Sequence, residues 1–95
     1  MAAYVITDVE ITDSEMFAEF RERLDPTIAT HGGTFIVRGE NITVVQGDWH
    51  PRRIAMIEFP NLKAANSWLH SSEFGALREI LDKSSNTNLV IVDGI

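Results

Sequence analysis

The sequence lacks cysteine and is poor in basic residues. The absence of cysteine excludes disulfide bonds, thiolate nucleophiles and zinc sites built on sulfur. Only 8 lysines and arginines accompany 14 aspartates and glutamates, which gives a net charge of −6. Nucleic-acid binding depends on concentrated positive charge, and only Arg52 and Arg53 place two basic residues side by side. We therefore expect no nucleic-acid partner.

Long apolar runs are also missing. No stretch approaches the roughly 20 residues that cross a bilayer, and the first eight residues lack the basic start and apolar core of a secretion signal. We expect a cytoplasmic protein without membrane contact. The 3 histidines share no metal-ligand spacing, and no glycine-rich phosphate loop or nucleophile elbow is present. We therefore expect no metal and no cofactor.

Apolar periodicity predicts one α+β domain over residues 1–95. The order β-α-β-β-α-β is that of the split β-α-β or ferredoxin-like arrangement, with an antiparallel sheet and helices on one face. Strands are predicted at residues 4–9, 34–38, 53–59 and 89–92, with a continuation or short strand at 42–46 and a polar loop at 84–88. Helices are predicted from residue 12 to about 24 and from 61 to 81, with a kink near 71.

Particular residues predict where these elements begin, bend and end. Thr12 and Glu15 fit a capping box at the start of the first helix. Pro26 lacks an amide donor, so it predicts a looser final turn of that helix. Asn61 is a good N-cap for the second helix, and Gly39 inside extended sequence predicts a β-bulge.

Two predicted strands, Thr34–Arg38 and Ile54–Phe59, are apolar at successive positions and not only at alternate ones. Such strands are usually covered on both faces. The helices can cover one face, and a second copy of the chain is the most economical cover for the other. A monomer would expose a patch of roughly several hundred Å², which marks an interaction surface. We therefore expect a homodimer formed by sheet-to-sheet contact.

Glu58 and Arg38 are the candidate polar residues of a site. A carboxylate inside an apolar strand is costly to bury without a partner, and partial burial would suit Glu58 to act as a general base. Arg38 could orient an anionic substrate through its forked donors. The default alternative is a structural salt bridge between the two side chains. Glu58 could also lie at the solvent-exposed end of a barrel formed by the sheet. Arg38 could instead donate hydrogen bonds to loop carbonyls at the end of its strand.

Four other residues are candidates for a ligand pocket. His31 either faces the pocket or caps the C-terminus of the first helix, and the cap is the favoured interpretation. Phe35 and Trp68 are candidate pocket walls, although an aromatic residue at helical spacing such as Trp68 is more often core. Trp49 lies in a polar turn, which suits a dimer contact or a pocket rim.

The combined motifs resemble the DUF1330 family over nearly the whole chain. These motifs are Gly32–Gly39, Gly47-Asp48-Trp49 with Pro51 and Arg53, Ile57–Pro60, Ala64-Ala65, and Trp68 with Ser71, Glu73 and Phe74. The chain departs from the usual pattern at four positions. His31 replaces an expected Tyr, Glu40 replaces a Gly, and Phe20 and Phe74 replace Tyr. A family reaction that needs either missing phenol would be in doubt here.

The resemblance implies a dimeric α/β barrel, in which two ferredoxin-like sheets pair. Its superfamily includes small monooxygenases, isomerases, haem enzymes and stress-response proteins, whereas DUF1330 has no established general activity. Our first hypothesis is a homodimer that binds a small molecule between sheet and helices, with Arg38 and Glu58 as polar contacts. The second is a cofactor-independent monooxygenase or isomerase with Glu58 as base and Arg38 or His31 steadying an oxyanion. The third is a structural or interaction protein without a ligand.

Overall fold

The computed structural model describes residues 1–95. Its elements are β1 (Ala3–Ile11), α1 (Ser14–Thr30), β2 (Thr34–Gly39), β3 (Ile54–Phe59), α2 (Leu62–Leu69), α3 (Ser72–Ser84) and β4 (Ser85–Asp93). The four strands form one antiparallel sheet in the order β2-β3-β1-β4. The predicted α+β, ferredoxin-like fold is confirmed, with its second helical segment divided into α2 and α3. None of the helices combines the length and apolarity that crossing a membrane requires.

Helix α1 differs from its prediction at both ends. Its N-cap is Asp13 and not Thr12, because the Asp13 carboxylate accepts a hydrogen bond from the Met16 amide at 3.1 Å. The helix also continues past Pro26 to Thr30, so the predicted loosening near residue 24 is wrong. The Thr30 hydroxyl donates to the Pro26 carbonyl at 2.8 Å and supports this last turn. Apolar residues buried on both sides of the proline fix the helix to the core.

The connection between β2 and β3 contains no strand, so the short strand predicted at residues 42–46 is wrong. Val45 in this segment is 91% exposed, and its apolar character therefore does not indicate sheet packing. The bulge predicted at Gly39 is wrong, because Arg38 and Gly39 pair in regular register with Ala55 and Ile54, and a bulge lies instead at Ile36. Phe35 pairs with Ile57 and the next paired residue is Val37, which leaves Ile36 as the extra residue.

Strand β4 begins at Ser85, so the polar loop predicted at 84–88 is wrong. The Ser84 and Ser85 hydroxyls donate to carbonyls of the last turn of α3, at 2.6 Å each, and both residues are buried. Helix and strand therefore join directly. The predicted Asn61 cap is confirmed, because the Asn61 side chain accepts from the Ala64 amide, and at the start of α3 the Ser71 hydroxyl accepts from the Phe74 amide.

The hydrophobic core lies between the helices and one face of the sheet. Strand residues on this face alternate with residues that point to the other side. The buried core residues are Ala3, Val5, Val9, Phe17, Phe20, Leu24, Ile28, Ile57, Phe59, Ala65, Trp68, Phe74, Leu77 and Leu81. We call this side of the sheet the helix face.

No helix covers the opposite side, which we call the open face. An apolar row crosses all four strands there, because Val37 pairs with Met56, Met56 with Ile6, and Ile6 with Val90. Val90 is 56% exposed and its neighbour on the same face, Val92, is 47% exposed. Successive apolar residues of the strands therefore make both faces of the sheet apolar, as expected from the sequence.

Candidate functional site

A cavity of about 70 Å³ lies between the helix face of the sheet and the helices. Eleven of its 16 lining residues are hydrophobic, and every strand and helix contributes to the wall. The lining residues are Thr7, Val9, Phe17, Phe20, Arg21, Leu24, Phe35, Arg38, Arg53, Ala55, Ile57, Trp68, Phe74, Leu81, Thr87 and Leu89. No aspartate, glutamate or histidine is among them, so the cavity is apolar apart from two threonines and three arginines.

Trp68 forms a fixed wall of the cavity. Its side chain is 1% exposed, and its ring lies between Phe59 and Phe74, with centroid separations of 5.5 and 4.1 Å. The indole N–H donates to the Thr27 hydroxyl at 3.1 Å, which satisfies the only polar atom of the ring. These contacts hold the indole in one orientation and leave its remaining surface to line the cavity.

Three arginines mark the place where the cavity meets solvent. Arg21 of α1, Arg38 of β2 and Arg53 just before β3 line both the cavity and an adjoining open basin of about 390 Å³. No hydrophobic residue lines the basin, and its other lining residues are Gly39, Glu40 and Asn41. An apolar chamber therefore opens directly into a cationic one. We call the three side chains the arginine cluster.

The bulge at Ile36 is what brings Arg38 to the cavity. Phe35 and Arg38 are three positions apart, so in a regular strand they would point to opposite faces. The extra residue restores the phase: Phe35 pairs with Ile57 and Arg38 with Ala55, and all four line the cavity. The Arg38 guanidinium lies 3.9 Å from the Phe35 ring centroid and 3.3 Å from an Asp25 carboxylate oxygen.

The other two arginines are also held in place. Phe17 precedes Arg21 by one helical turn, and the Arg21 guanidinium lies over the Phe17 ring at 5.3 Å from its centroid. Arg53 pairs with Glu40 through Nη2, whereas its Nη1 is buried and has no hydrogen-bond partner within the protein. The pKa of Arg21 is lowered mainly by burial and further by the positive charges of Arg53 and Arg38. The three guanidinium groups are therefore close enough to influence one another.

The structure brings together three of the six predicted site residues. Arg38, Phe35 and Trp68 line the same cavity. Glu58 does not, because it alternates with the buried Ile57 and Phe59 and so lies on the open face. The salt bridge between Arg38 and Glu58 is absent. Arg38 pairs with Asp25 of α1, and it lies at the opposite end of β2 from the residue that pairs with Glu58.

Glu58 has a different neighbour on the open face. It is paired across the sheet with Tyr4 on one side and with Thr34 on the other. The pKa of Tyr4 is raised mainly by hydrogen bonding to the Glu58 carboxylate and further by the negative charge of that group. The two side chains form a polar pair beside the apolar row.

His31 and Trp49 lie outside the cavity. His31 is the C-cap of α1, and its ring Nδ1 lies 2.9 Å from the Thr27 carbonyl oxygen, which agrees with the favoured cap interpretation. Trp49 is 62% exposed, and its indole N–H donates to the Asp8 carboxylate at 2.9 Å. Asp8 also accepts from the Arg52 amide at 3.1 Å. Trp49 therefore ties the β2–β3 connection to β1.

Sequence reasoning missed two members of the arginine cluster, although each left a signal. Arg53 is in phase with Ala55 and Ile57, so alternation alone assigns it to the helix face. Arg21 follows Phe17 by four residues, a spacing at which a cation can lie over a ring on a helix surface. Neither residue stands inside an apolar run, so the criterion that selected Arg38 and Glu58 selects neither of them.

Solved structures share this fold at low sequence identity. A protein of unknown function from Rhodopseudomonas palustris, RPA0582, has a TM-score of 0.78 at 13% identity, over 99% of this chain and 82% of that one. A dimeric ferredoxin-like protein of unknown function from Jannaschia sp. CCS1 has a TM-score of 0.77 at 15% identity, over 99% and 100%. SnoaB, a cofactor-independent oxygenase from Streptomyces nogalater, has a TM-score of 0.70 at 12% identity, over 99% and 93%.

The sequence itself identifies a family. No curated protein matches it significantly. The model of a family described as "Domain of unknown function (DUF1330)" matches residues 2–95, which confirms the resemblance drawn from the glycine, tryptophan and strand motifs. The chain belongs to the DUF1330 family.

Proposed function

We propose that residues 1–95 form one homodimeric domain that binds a small molecule in the cavity between sheet and helices. The observation that carries this proposal is an apolar cavity that opens among three arginines. Protein interiors are close-packed, and voids larger than a water molecule are few. Concave apolar sites with a few convergent polar groups are the usual form of ligand sites. The cavity has this form, and the arginine cluster supplies the polar groups.

The dimensions of the site limit the ligand. The cavity holds about 70 Å³, which suits a short alkyl group and not a large ring system. The basin beyond it is wider, at about 390 Å³. A ligand with a small apolar part and a larger or polar remainder would therefore use both chambers.

The open face supports the homodimer. Its apolar row runs across the whole sheet, and a second copy would present the same row because a two-fold interface is self-complementary. The solved structure from Jannaschia sp. CCS1 is that of a dimeric protein with this fold. A small domain also gains a large share of its burial from such a contact. We propose that a second copy of the chain covers the open face.

A thermal-shift screen of small compounds tests the binding function. The panel includes butanol, 4-methylpentanamide and 4-methylpentanoate, which carry short alkyl groups with neutral or anionic ends. We expect at least one to raise the melting temperature. Ala55→Leu places a larger side chain in the cavity wall and should abolish that shift, whereas Ala18→Leu, on the exposed surface of α1, should preserve it. Equal shifts in both variants, or none in the parent, would contradict the proposal.

A second candidate is a cofactor-independent enzyme of the monooxygenase or isomerase kind, which the fold similarity to SnoaB favours. The predicted mechanism uses Glu58 as base and Arg38 to steady an oxyanion. Arg38 lines the cavity, but Glu58 lies on the other face of the sheet. Binding therefore has the stronger support. Product formation from a bound compound, detected by mass spectrometry and lost in both Arg38→Gln and Glu58→Gln, would favour the enzyme instead.

A further inference from the structure

We propose that the ligand is an amphipathic monoanion, a small carboxylic acid whose alkyl part occupies the cavity and whose carboxylate binds the arginine cluster. This inference rests on the proposed function and specifies its ligand. The three arginines are the residues that the cavity and the basin share with each other. A ligand that spans the two chambers must pass them.

Donors for a carboxylate are available in the cluster. A guanidinium carries five N–H donors in a planar fork that matches a carboxylate. Arg38 uses Nη2 toward Asp25 at 3.3 Å, and Arg53 uses Nη2 toward Glu40. Nη1 of Arg53 is buried without any partner in the protein. A buried charged donor without an acceptor is costly, and a carboxylate between the arginines would provide that acceptor.

The charge balance favours an anion with one negative charge. Asp25 and Glu40 partly neutralise the three guanidinium groups, which leaves one positive charge in excess at this place. The chain as a whole carries −6, so an anion meets attraction here against a negative background. A carboxylate would neutralise the excess, whereas a dianion such as a phosphate monoester would exceed it.

The aromatic supports show that the cluster belongs to the cavity. Arg38 lies over Phe35 and Arg21 over Phe17, and both rings line the apolar chamber. Each ring therefore contacts a cation through one part of its surface and the cavity through another. The alkyl part of a ligand would contact the same rings that hold the guanidinium groups beside its carboxylate.

Isothermal titration calorimetry with matched ligands tests this inference. The probes are 4-methylpentanoate and its neutral counterpart 4-methylpentanamide. We expect the acid to bind about tenfold or more tightly than the amide, since hydrogen bonds to charged groups are the stronger ones. Arg38→Gln and Arg53→Gln should each reduce acid binding by about tenfold and change amide binding little. Arg78→Gln, on the exposed side of α3, is the matched control and should change neither.

Four other results of these binding experiments would each contradict a different part of the proposal. Equal affinity for acid and amide, with no effect of either arginine substitution, would overturn the anionic ligand but leave the binding function in place. Tighter binding of 4-methylpentyl phosphate than of the acid would overturn the single negative charge. Failure of the acid, the amide and every compound of the thermal-shift panel to bind would overturn the proposed function itself. Loss of acid binding in Arg78→Gln would show a general charge effect and contradict the assigned site.

Discussion

The two faces of the sheet have similar apolar residues but different surroundings. The helix face is covered within the chain, and at one end its packing opens into a cavity. The open face carries an apolar row of the same kind, from Val37 to Val90, with no cover from the chain. Apolar strand sequence alone therefore does not reveal which face of the sheet borders a cavity. The neighbouring polar residues do: the arginine cluster borders the helix face, and Tyr4 with Glu58 borders the open face.

The largest expected effect is on the open face. Val90→Lys would place a charge in the proposed sheet-to-sheet contact twice per dimer, because the interface is two-fold. We expect each lysine to cost about 3 kcal/mol or more of dimerisation free energy. Sedimentation equilibrium should show a dimer for the parent and a folded monomer for the variant. Val45→Lys, in the exposed β2–β3 connection, is the control and should remain dimeric. A monomeric parent at micromolar concentration would refute the homodimer.

The next effect separates the two tryptophans. Trp68→Ala removes a side chain that is 1% exposed and packed between two aromatic rings, so it should lower the free energy of unfolding by about 3 to 5 kcal/mol. Trp49→Ala removes an exposed ring with one hydrogen bond to Asp8, and we expect a loss of less than about 1 kcal/mol. Urea denaturation of both variants at the same protein concentration measures the difference. Similar losses would contradict the assignment of Trp68 to the core.

A pair of glycines tests how closely the helix face is packed away from the cavity. A Cβ on Gly33 would lie 2.7 Å from atoms of both Ile28 and Phe59. Gly33→Ala should therefore destabilise the fold by about 1 to 3 kcal/mol. Gly75→Ala, inside α3 with open space around it, should stabilise the fold by about 0.5 to 1 kcal/mol. Thermal denaturation distinguishes the two signs, and a tolerated Gly33→Ala would show looser packing at this end.

The smallest effect concerns the polar pair of the open face. The pKa of Tyr4 is raised above its ordinary value of 10.0 by hydrogen bonding to Glu58 and by its charge. The resulting stabilisation is present below that ordinary value and is lost as the pH rises through the raised pKa. Tyr4 is the single tyrosine of the chain, so phenolate absorbance reports it alone. Glu58→Gln should lower the pKa of Tyr4 toward 10.0. An unchanged titration curve would show that Glu58 does not influence Tyr4.

Much of the fold could be predicted because periodicity and caps act locally. The element order, the Asn61 cap and the two apolar faces follow from spacing alone. The extent of β4 did not, because Ser84 and Ser85 are satisfied by the preceding helical turn, which makes a polar segment suitable for a strand. The course of α1 past Pro26 also depended on tertiary packing.

The candidate site was predictable only in part. Trp68 and Phe35 were expected as cavity walls and line the cavity, whereas Glu58 belongs to the other face by simple alternation with Ile57. The position of Arg38 depends on a bulge at Ile36, and no single residue in the sequence marks that place. The arginine cluster joins three separate elements, so only the folded chain brings it together.

Methyl NMR spectroscopy tests most directly whether a small acid binds in the cavity on the helix face. Leu81 and Leu89 line the cavity, and Val90 and Val92 lie on the open face. Addition of 4-methylpentanoate to the parent protein should shift the methyl resonances of the two leucines and leave those of the two valines unchanged. Shifts confined to the valines would place binding on the open face and contradict binding in the cavity, as would the absence of any shift at saturating acid.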